Sequence, residues 1–555
     1  MERESSFKLF NFRPVFFGAI SLIVGILFAY FIVAKGASLW RLLFILPIAI
    51  IFFLIYKAKH NWAAGFIAAL AFSLLFFIGY HGMSIQLRAF SSATPYAGEQ
   101  IVHGRVESIE EKGALTLLTI SNLSIGGKEE KGLLIAYLPD YQCEEVRRLD
   151  EVLLRGELQT RTEYFNDGFF RAYEIEKSVR YFLISENAVA ITGRSGDLFS
   201  WINYRLESAL YAGMHKDAAA VVMGILLGNV GGLEDALLQN VRAGGIAHVF
   251  AVSGLHVGVL YGFLTWLFGE TGLKNAPKWL CFLMTAFILV FYAGICGFTS
   301  SVLRAAVICL CGYAAKLLGI KIDRLEIVGV AAILVLIFNP TSLFTVGFQL
   351  SFLACLGIVL LAKPIGQVCD KLFQWIGSLF AKSKNEEKET AAQAEQVDQE
   401  EKPLSLGKQF YNGVVALLSA SLATQIATAP VLLSAFGFLS GWATLLNFFF
   451  IPLVSGVFAV LLLFAVIAAI LPLSAATTLL FVPNALFSAV LLLFEVVDFS
   501  AFALAGIAIS GGGNICYYAG CVFLTDKWNL ERKWKTFFSL FCFVGALLAT
   551  LAVNL

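Results

Sequence analysis

Residues 1–34, MERESSFKLFNFRPVFFGAISLIVGILFAYFIVA, determine the fold class of this protein. A short flank with basic residues is followed by a continuous apolar run of about twenty residues, the length that an α-helix needs to cross a hydrocarbon core of roughly 30 Å. The run is too long for the core of a cleaved signal peptide. It therefore predicts a first transmembrane helix that remains part of the protein.

Similar apolar runs recur along most of the chain. Of the 555 residues, 59% are hydrophobic and 14% are charged, and the mean hydropathy is +0.79. A soluble domain carries about a quarter charged residues. The composition thus predicts a polytopic α-helical membrane protein with roughly 11–14 membrane segments. The net charge of +1 indicates no partner, and the ten cysteines indicate no disulfide framework because nine lie in or beside apolar segments.

The order of apolar and polar segments predicts five parts. They are an N-terminal three-helix membrane region (1–90), a polar β domain (91–195), the first part of a larger membrane domain with amphipathic helices (196–380), a charged linker (381–407) and the second part of that membrane domain (408–555). The linker is rich in Glu, Gln, Lys and Ala and lacks aromatic residues, so it cannot bury enough apolar surface to order itself.

The distribution of basic residues predicts the orientation. Cytoplasmic loops are enriched in Lys and Arg, and basic residues precede the first predicted span (14–34) and lie between the second (39–56) and third (62–80). The N-terminus is therefore expected in the cytoplasm and the polar β domain outside. Uncharged loops at 297–301 and 339–344 should also face outside.

Residues 96–190 alternate between apolar and polar side chains, as half-buried strands do. About five short strands fit a small Greek-key barrel of the oligonucleotide/oligosaccharide-binding (OB) kind, although several other small β folds fit as well. Such barrels hold single strands with aromatic and cationic side chains. The candidates are Arg147, Arg148, Arg155, Arg161, Arg171, Tyr164 and Tyr173. Because acidic residues outnumber basic ones here, DNA contact and a structural or docking role both remain open.

The segment IAHVFAVSGLHVGVL (246–260) places His248, Ser253 and His256 in an apolar context. An ionisable residue inside a membrane is costly unless it faces a bundle interior or a water-filled path. A Ser–His hydrolase would need an orienting third group, and no carboxylate is nearby. A metal site would need three or four ligands. These residues are better explained by a polar path or by hydrogen bonds between helices, and their spacing does not separate those two.

Four further polar residues interrupt apolar segments. Arg304 has no carboxylate in its own segment and would suit the path of a polyanion, since anion-selective pores are lined with cations. Gln349 and Gln425 are further candidates for a polar path, and Asn447 is better explained as a hydrogen bond between helices. The sequence predicts no metal site and no cofactor.

Several blocks together resemble the ComEC-type competence proteins, bacterial inner-membrane channels for DNA uptake. They are GNVGGLEDALLQNVRAGGIAHVFAVSGLHVGVL (228–260), GFTSSVLRAAV (297–307), NPTSLFTVGFQLSFLACLGI (339–358), SLATQIATAPVLLSAFGFLSGWATLLNFFFIPLVSG (421–456) and YFNDGFFRAYEIEKSVRYF (164–182). The resemblance implies a channel that passes single-stranded DNA into the cytoplasm, with an outer OB-like domain that helps to receive it. His248, Ser253, His256, Arg304, Gln349 and Gln425 would then be pore contacts.

The sequence also departs from that family. Many members carry a C-terminal metallo-β-lactamase-like domain, and no His-x-His-x-Asp-His cluster occurs here. No phosphate-binding loop of the Gly-x-x-x-x-Gly-Lys-Ser/Thr kind occurs either. The expected partners are therefore membrane lipid, single-stranded DNA, a DNA receptor, a separate nuclease and a separate cytoplasmic ATP-driven motor. The protein is expected not to be an enzyme; the alternatives are an intramembrane serine hydrolase using Ser253 and His256, and a transporter of a small anionic solute.

Overall fold

The computed structural model describes residues 13–34, 62–91, 95–96, 98–112, 115–143, 146, 150–160, 179–184, 190–194, 198–228, 232–249, 252–270, 276–320, 323–381, 406–499, 503–505, 511–525 and 532–554. The predicted second span (39–56) and nearly all of the predicted charged linker lie outside these residues.

Helices dominate the described chain. They are α1 (Pro14–Ala34), α2 (Trp62–Ser91), α3 (Leu198–Gly213), α4 (Lys216–Leu227), α5 (Asp235–Ala243), α6 (Gly254–Glu270), α7 (Lys278–Ile295), α8 (Ser300–Leu317), α9 (Arg324–Phe338), α10 (Val346–Ala381), α11 (Leu406–Phe436), α12 (Ala443–Ile470), α13 (Leu473–Leu479), α14 (Phe481–Val496), α15 (Gly511–Phe523) and α16 (Arg532–Asn554). Short 3₁₀ helices cover Asp140–Gln142 and Pro340–Phe344. The second of these connects α9 to α10 and is called the 340–344 loop below.

Six of the described helices are long and apolar enough to cross a membrane. The segments are Ala68–Arg88, Lys278–Ile295, Val346–Ile376, Gly407–Phe436, Ala443–Ile470 and Lys533–Thr550, and the shorter apolar helices Pro14–Tyr30, Gly254–Phe268 and Phe481–Val496 accompany them. The predicted class, a multi-pass helical membrane protein, is confirmed. Many long, exposed apolar side chains, such as Phe287, Leu463 and Phe541, suit contact with lipid.

The polar region forms a small closed β-barrel, as predicted. Its strands are β1 (Glu99–Lys112), β2 (Leu115–Ile125), β3 (Lys128–Glu130), β4 (Leu133–Pro139), β5 (Asp150–Thr160), β6 (Val179–Ile184) and β7 (Ala190–Arg194). Five of them follow the order β1-β2-β4-β6-β5, and β5 pairs with β1 to close the barrel. β4 and β6 are parallel, whereas the other neighbours in the barrel are antiparallel. This closure and the single parallel pair are the topology of an OB fold.

The barrel interior follows from the alternation in sequence. Along β5, every second residue is buried, including Val152, Leu154 and Leu158, while its other side chains are wholly or partly exposed. These residues join Val102, Ile120 and others in one apolar core. A strand with this period of two buries one face and leaves the other in water. The barrel core is therefore specified by the pattern of the strands.

Helices α1 and α2 pack in parallel through small residues. Side chains at Gly25 or Gly79 would collide with the backbone of the opposite helix, at Phe76 and Leu22 respectively. Ser21 Oγ also donates to the carbonyl oxygen of Phe72 at 2.7 Å. Small residues permit such close approach in membranes, where apolar surface alone does not drive helices together. Helices α1 and α2 correspond to the first and third predicted spans, which cross the membrane in the same direction. A parallel pair therefore agrees with the prediction of three spans.

Two sets of contacts define the two ends of this bundle. Arg13, before α1, forms a buried ion pair with Asp323, before α9, so the starts of these helices share one end. At the other end, the ring of Tyr30 lies 4.5 Å from that of Phe344, and Gly82 of α2 lies beside Pro340. The 340–344 loop is therefore at the end where α2 leads into the barrel, in agreement with the predicted alternation of loops.

Candidate functional site

The end of α6 that holds Ser253 and His256 is a helix cap. Ser253 Oγ accepts the backbone N–H of Leu255 at 3.3 Å, and His256 Nδ1 accepts the backbone N–H of Ser253 at 3.0 Å. In this reciprocal arrangement, known as a capping box, the third helical residue is usually Glu or Gln. Here a histidine takes that place. Ser253 thus directly precedes the helix, which begins at Gly254.

The cap fixes the tautomer of His256. Because Nδ1 accepts a backbone N–H, the neutral imidazole carries its proton on Nε2. The side chain is fully buried, its ring lies 4.9 Å from that of Phe458, and Nε2 has no hydrogen-bond partner among the described residues. Ser253 Oγ lies 3.3 Å from Nδ1, farther away than the backbone nitrogen. His248 lies close to His256 in the preceding turn, where it is exposed.

Arg304 lies at the contact between α8 and α10. Its side chain is 1% exposed, and Nη2 donates to the carbonyl oxygen of Gly347 at 2.8 Å. The guanidinium carbon also lies 5.5 Å and 5.7 Å from the ring centres of Phe348 and Phe352. A cation over aromatic faces is stabilised by the ring quadrupoles. The charge is therefore held within protein, next to the first turn of α10.

Gln349 also lies in the first turn of α10, two residues after Gly347, and lines a cavity. Its Nε2 donates to the carbonyl oxygen of Leu343 at 3.1 Å. The cavity has a volume of about 380 Å³ and lies between α10, α11 and α15, with Asn514 and Tyr518 on its third side. Neither Asn514 nor Tyr518 is identified from the sequence, because the residue pattern of α15 does not show that these polar side chains line a cavity with α10.

Gln425 and Asn447 link α11 to α12. Thr444 Oγ1 donates to Gln425 Oε1 at 2.9 Å, and Asn447 Nδ2 donates to Ser421 Oγ at 3.5 Å. The interpretation of Asn447 as a bond between helices agrees with this contact, and Gln425 makes a bond of the same kind.

A proline in α11 explains a further polar contact. Pro430 has no N–H, so the carbonyl of Ile426, four residues earlier, loses its usual partner within the helix. Tyr517 of α15 donates its hydroxyl to that oxygen at 2.8 Å. Neighbouring helices and side chains commonly satisfy carbonyls that a proline frees in a membrane.

The predicted DNA contacts of the barrel are described only in part. Arg155 lies on β5, where its Nε donates to Glu99 Oε2 at 2.8 Å on the exposed surface. Its charge is thereby partly neutralised by an acidic neighbour. The remaining candidates lie outside the described residues; they are Arg147, Arg148, Arg161, Arg171, Tyr164 and Tyr173.

The structure thus gathers His248, Ser253 and His256 at one helix end and places Arg304, Gln349 and Gln425 in three other environments. Two of these environments are close, since a β-carbon at Gly254, the start of α6, would lie 3.4 Å from the β-carbon of Ala305, next to Arg304. No group of three or more potential metal ligands occurs within the described part of the chain.

A multi-pass helical membrane protein with a small OB-type barrel is the class that this architecture defines. The family model described as Competence protein matches residues 225–530, and the chain belongs to that family. ComE operon protein 3 of Bacillus subtilis (strain 168) is 30% identical over 158 residues, which cover 28% of this chain and 20% of that protein. The Uncharacterized protein MG316 homolog of Mycoplasma pneumoniae (strain ATCC 29342 / M129 / Subtype 1) is 27% identical over 126 residues, 22% of this chain and 30% of that protein.

The aligned parts therefore span less than a third of these curated relatives. No solved structure matches the chain.

Proposed function

We propose that this protein is a channel that carries single-stranded DNA across the bacterial inner membrane during natural transformation. Family membership, which implies a role in DNA uptake, carries the proposal. The matched region, 225–530, includes α6 to α15 and all six polar residues proposed as pore contacts. In the proposed orientation the N-terminus is cytoplasmic and the barrel lies outside, where it receives the strand.

The geometry of Ser253 and His256 favours a channel over a hydrolase. A general base must be free to take the proton of its nucleophile. His256 Nδ1 instead accepts the backbone N–H of Ser253, which lies nearer to it than the Ser253 hydroxyl. The pair supports the start of a helix, so we propose that the protein is not an enzyme. A DNA receptor, a nuclease and an ATP-driven motor would be separate proteins, and lipid surrounds the helices.

Import of labelled DNA tests the channel. A strain deleted for the gene would be complemented with wild type, Arg304→Met or Arg324→Met, and DNA in the cytoplasm would be measured separately from DNA on the surface. Arg304→Met removes a buried charge at similar length, whereas Arg324 is exposed at the start of α9 and serves as the matched control. The amount of each protein in the membrane would be measured as well.

The channel predicts that deletion leaves DNA on the surface and that wild type and Arg324→Met restore entry. Arg304→Met should reduce entry at normal protein abundance, since it removes a buried cation whose charge favours a polyanion. Intact import in a competent deletion strain would overturn the channel and favour the transporter of a small anionic solute. A chemical product lost in Ser253→Ala, at normal abundance, would instead favour the hydrolase.

A further inference from the structure

We propose that the cavity between α10, α11 and α15 holds a nucleobase of the incoming single strand. This inference rests on the proposed function and names a site within it. The cavity volume, about 380 Å³, is in the range of sites that take small organic groups. Its position, the chemistry of its walls and an unsatisfied acceptor all support this occupant.

In the proposed orientation, the cavity lies at the side of the membrane from which the strand would enter. The cavity lies beside the first turn of α10, directly after the 340–344 loop. That loop contacts Tyr30 near the end of α1 and Gly82 of α2, at the end of the bundle from which the chain continues into the barrel. A strand released from the barrel would therefore reach this end of the helices first.

Four of the cavity's eight described lining residues are polar and uncharged. Gln349, Ser434, Asn514 and Tyr518 supply two amides and two hydroxyl groups, and none of the described lining residues is charged. Phosphate groups are held by cations, so these walls do not suit them. Amide side chains and an aromatic ring are the groups that proteins use to bond base edges and to stack on base faces.

The polar lining residues have acceptors available for a donor. Asn514 Oδ1 is buried and has no hydrogen-bond partner among the described residues. Gln349 donates through Nε2 to the carbonyl of Leu343, which leaves its Oε1 to accept. Tyr518 is anchored because its hydroxyl donates to the carbonyl of Ala427 at 3.3 Å. Amino and imino groups of bases are donors that would satisfy such acceptors, and a buried acceptor without a partner is costly.

The other described lining residues are apolar; they are Val346, Pro430, Val431 and Ala435. A flat base offers two apolar faces and a polar edge, so it matches a cavity lined by both apolar and polar side chains. Because the contacts involve groups common to several bases, the site would tolerate any sequence.

Binding of oligonucleotides by the full-length protein in lipid nanodiscs tests the site. A labelled single-stranded DNA oligomer would be compared with an abasic strand of equal length and charge. Val431→Trp fills the cavity, and Asn514→Leu removes the unsatisfied acceptor. Val460→Trp is the matched control because Val460 lies on the exposed side of α12.

Wild type should bind the normal strand about tenfold more tightly than the abasic strand, the size of effect that one base stacked on an aromatic ring provides. Both cavity variants should reduce that difference, whereas Val460→Trp should leave it unchanged. Equal binding of the two strands by wild type, or a difference that is undiminished in both cavity variants, would overturn the site. If a lipid chain occupied the cavity in place of a base, the difference between the two strands would be undiminished in both cavity variants.

The same variants in the import assay separate this inference from the channel. If wild type restores import and both cavity variants bind and import like wild type, the site is wrong and the channel stands. If deletion of the gene leaves import intact, the channel itself fails, whatever the binding results are.

Discussion

A serine and a histidine three residues apart can form a catalytic pair or a helix cap, and the partner of each atom distinguishes the two. Ser253 Oγ accepts from the N–H of Leu255, and His256 Nδ1 accepts from the N–H of Ser253. Both side chains therefore satisfy backbone donors that the first turn of a helix leaves without partners. In an apolar surrounding, where water cannot replace them, these bonds matter more than on a soluble surface.

The cap predicts a specific rescue. His256→Ala should destabilise the protein by more than the ~1 kcal/mol usual for a helix cap, because the buried ring also packs against Phe458. His256→Gln should retain more of the stability because Gln also serves at this position of a capping box. Thermal unfolding of the purified protein in detergent measures both. Equal loss in the two variants would contradict the cap and indicate that the imidazole ring itself is needed.

A tyrosine in the barrel predicts a response to alkaline pH. Burial, together with the hydrogen bond that Tyr96 donates to Glu130 at 2.8 Å, raises the pKa of Tyr96 from 10.0 to about 12. The folded state thus holds this proton more tightly than the unfolded state. The contribution to stability is complete below pH 10 and is lost as the pH rises from 10 to about 12.

Tyr96→Phe removes the titrating group. Phenolate absorbance of wild type minus that of the variant should show one tyrosine that titrates near pH 12. A difference curve centred at the ordinary value for tyrosine would show that the contact with Glu130 does not form.

At single residues, the sequence predicts which polar side chains lie among apolar ones, since a lone Arg304 or Gln425 stands out in a hydrophobic run. It does not predict their partners. Arg304 bonds to Gly347 and Gln425 to Thr444, across helix contacts that depend on how the helices pack. The sequence does not identify Asn514 and Tyr518 as cavity-lining residues for the same reason, because the cavity forms only where three helices pack together.

Among the helices, Pro430 and Tyr517 act as one unit. The proline frees the carbonyl of Ile426, and the hydroxyl of Tyr517 satisfies it. Tyr517→Phe should therefore cost about 1–2 kcal/mol, because a buried acceptor loses its partner. In a Pro430→Ala background the new N–H of residue 430 can bond to that carbonyl, and the cost of Tyr517→Phe should largely disappear.

A double-mutant cycle on thermal stability measures this coupling. Additive losses would show that the tyrosine stabilises α11 by packing alone. Ser434→Ala in the same helix is a control, since its hydroxyl bonds to the carbonyl of Pro430 and not to that of Ile426.

Helices and strands were predicted well where one physical rule dominates. Apolar runs predicted α1 and most of α2, and alternation predicted the strands of the barrel, because hydrocarbon thickness sets the length of a span and the pleat sets the period of a strand. The sequence does not show where α6 begins. Residues 244–253 are apolar enough for a helix, but Gly245 has φ +74°, a conformation that favours glycine after the end of the preceding helix, and Ser253 caps α6, which begins at Gly254.

For the whole molecule, the charge pattern predicts how loops alternate across the membrane. The Arg13–Asp323 ion pair joins two segments that are both expected in the cytoplasm, and the 340–344 loop lies at the opposite end, near the path to the barrel. The contacts therefore agree with the predicted sidedness of the loops relative to one another. Which end faces the cytoplasm depends on the positive-inside rule.

Cysteine labelling decides this orientation. Thr299→Cys and Leu318→Cys place an exposed thiol at either end of α8, and α8 begins at Ser300 and ends at Leu317. A maleimide that cannot cross membranes should label Thr299→Cys in intact spheroplasts and Leu318→Cys after permeabilisation, with unsubstituted protein as the background for the ten native cysteines. The opposite result would put the barrel in the cytoplasm, where it could not receive DNA from outside, and the proposed direction of transport would then be wrong.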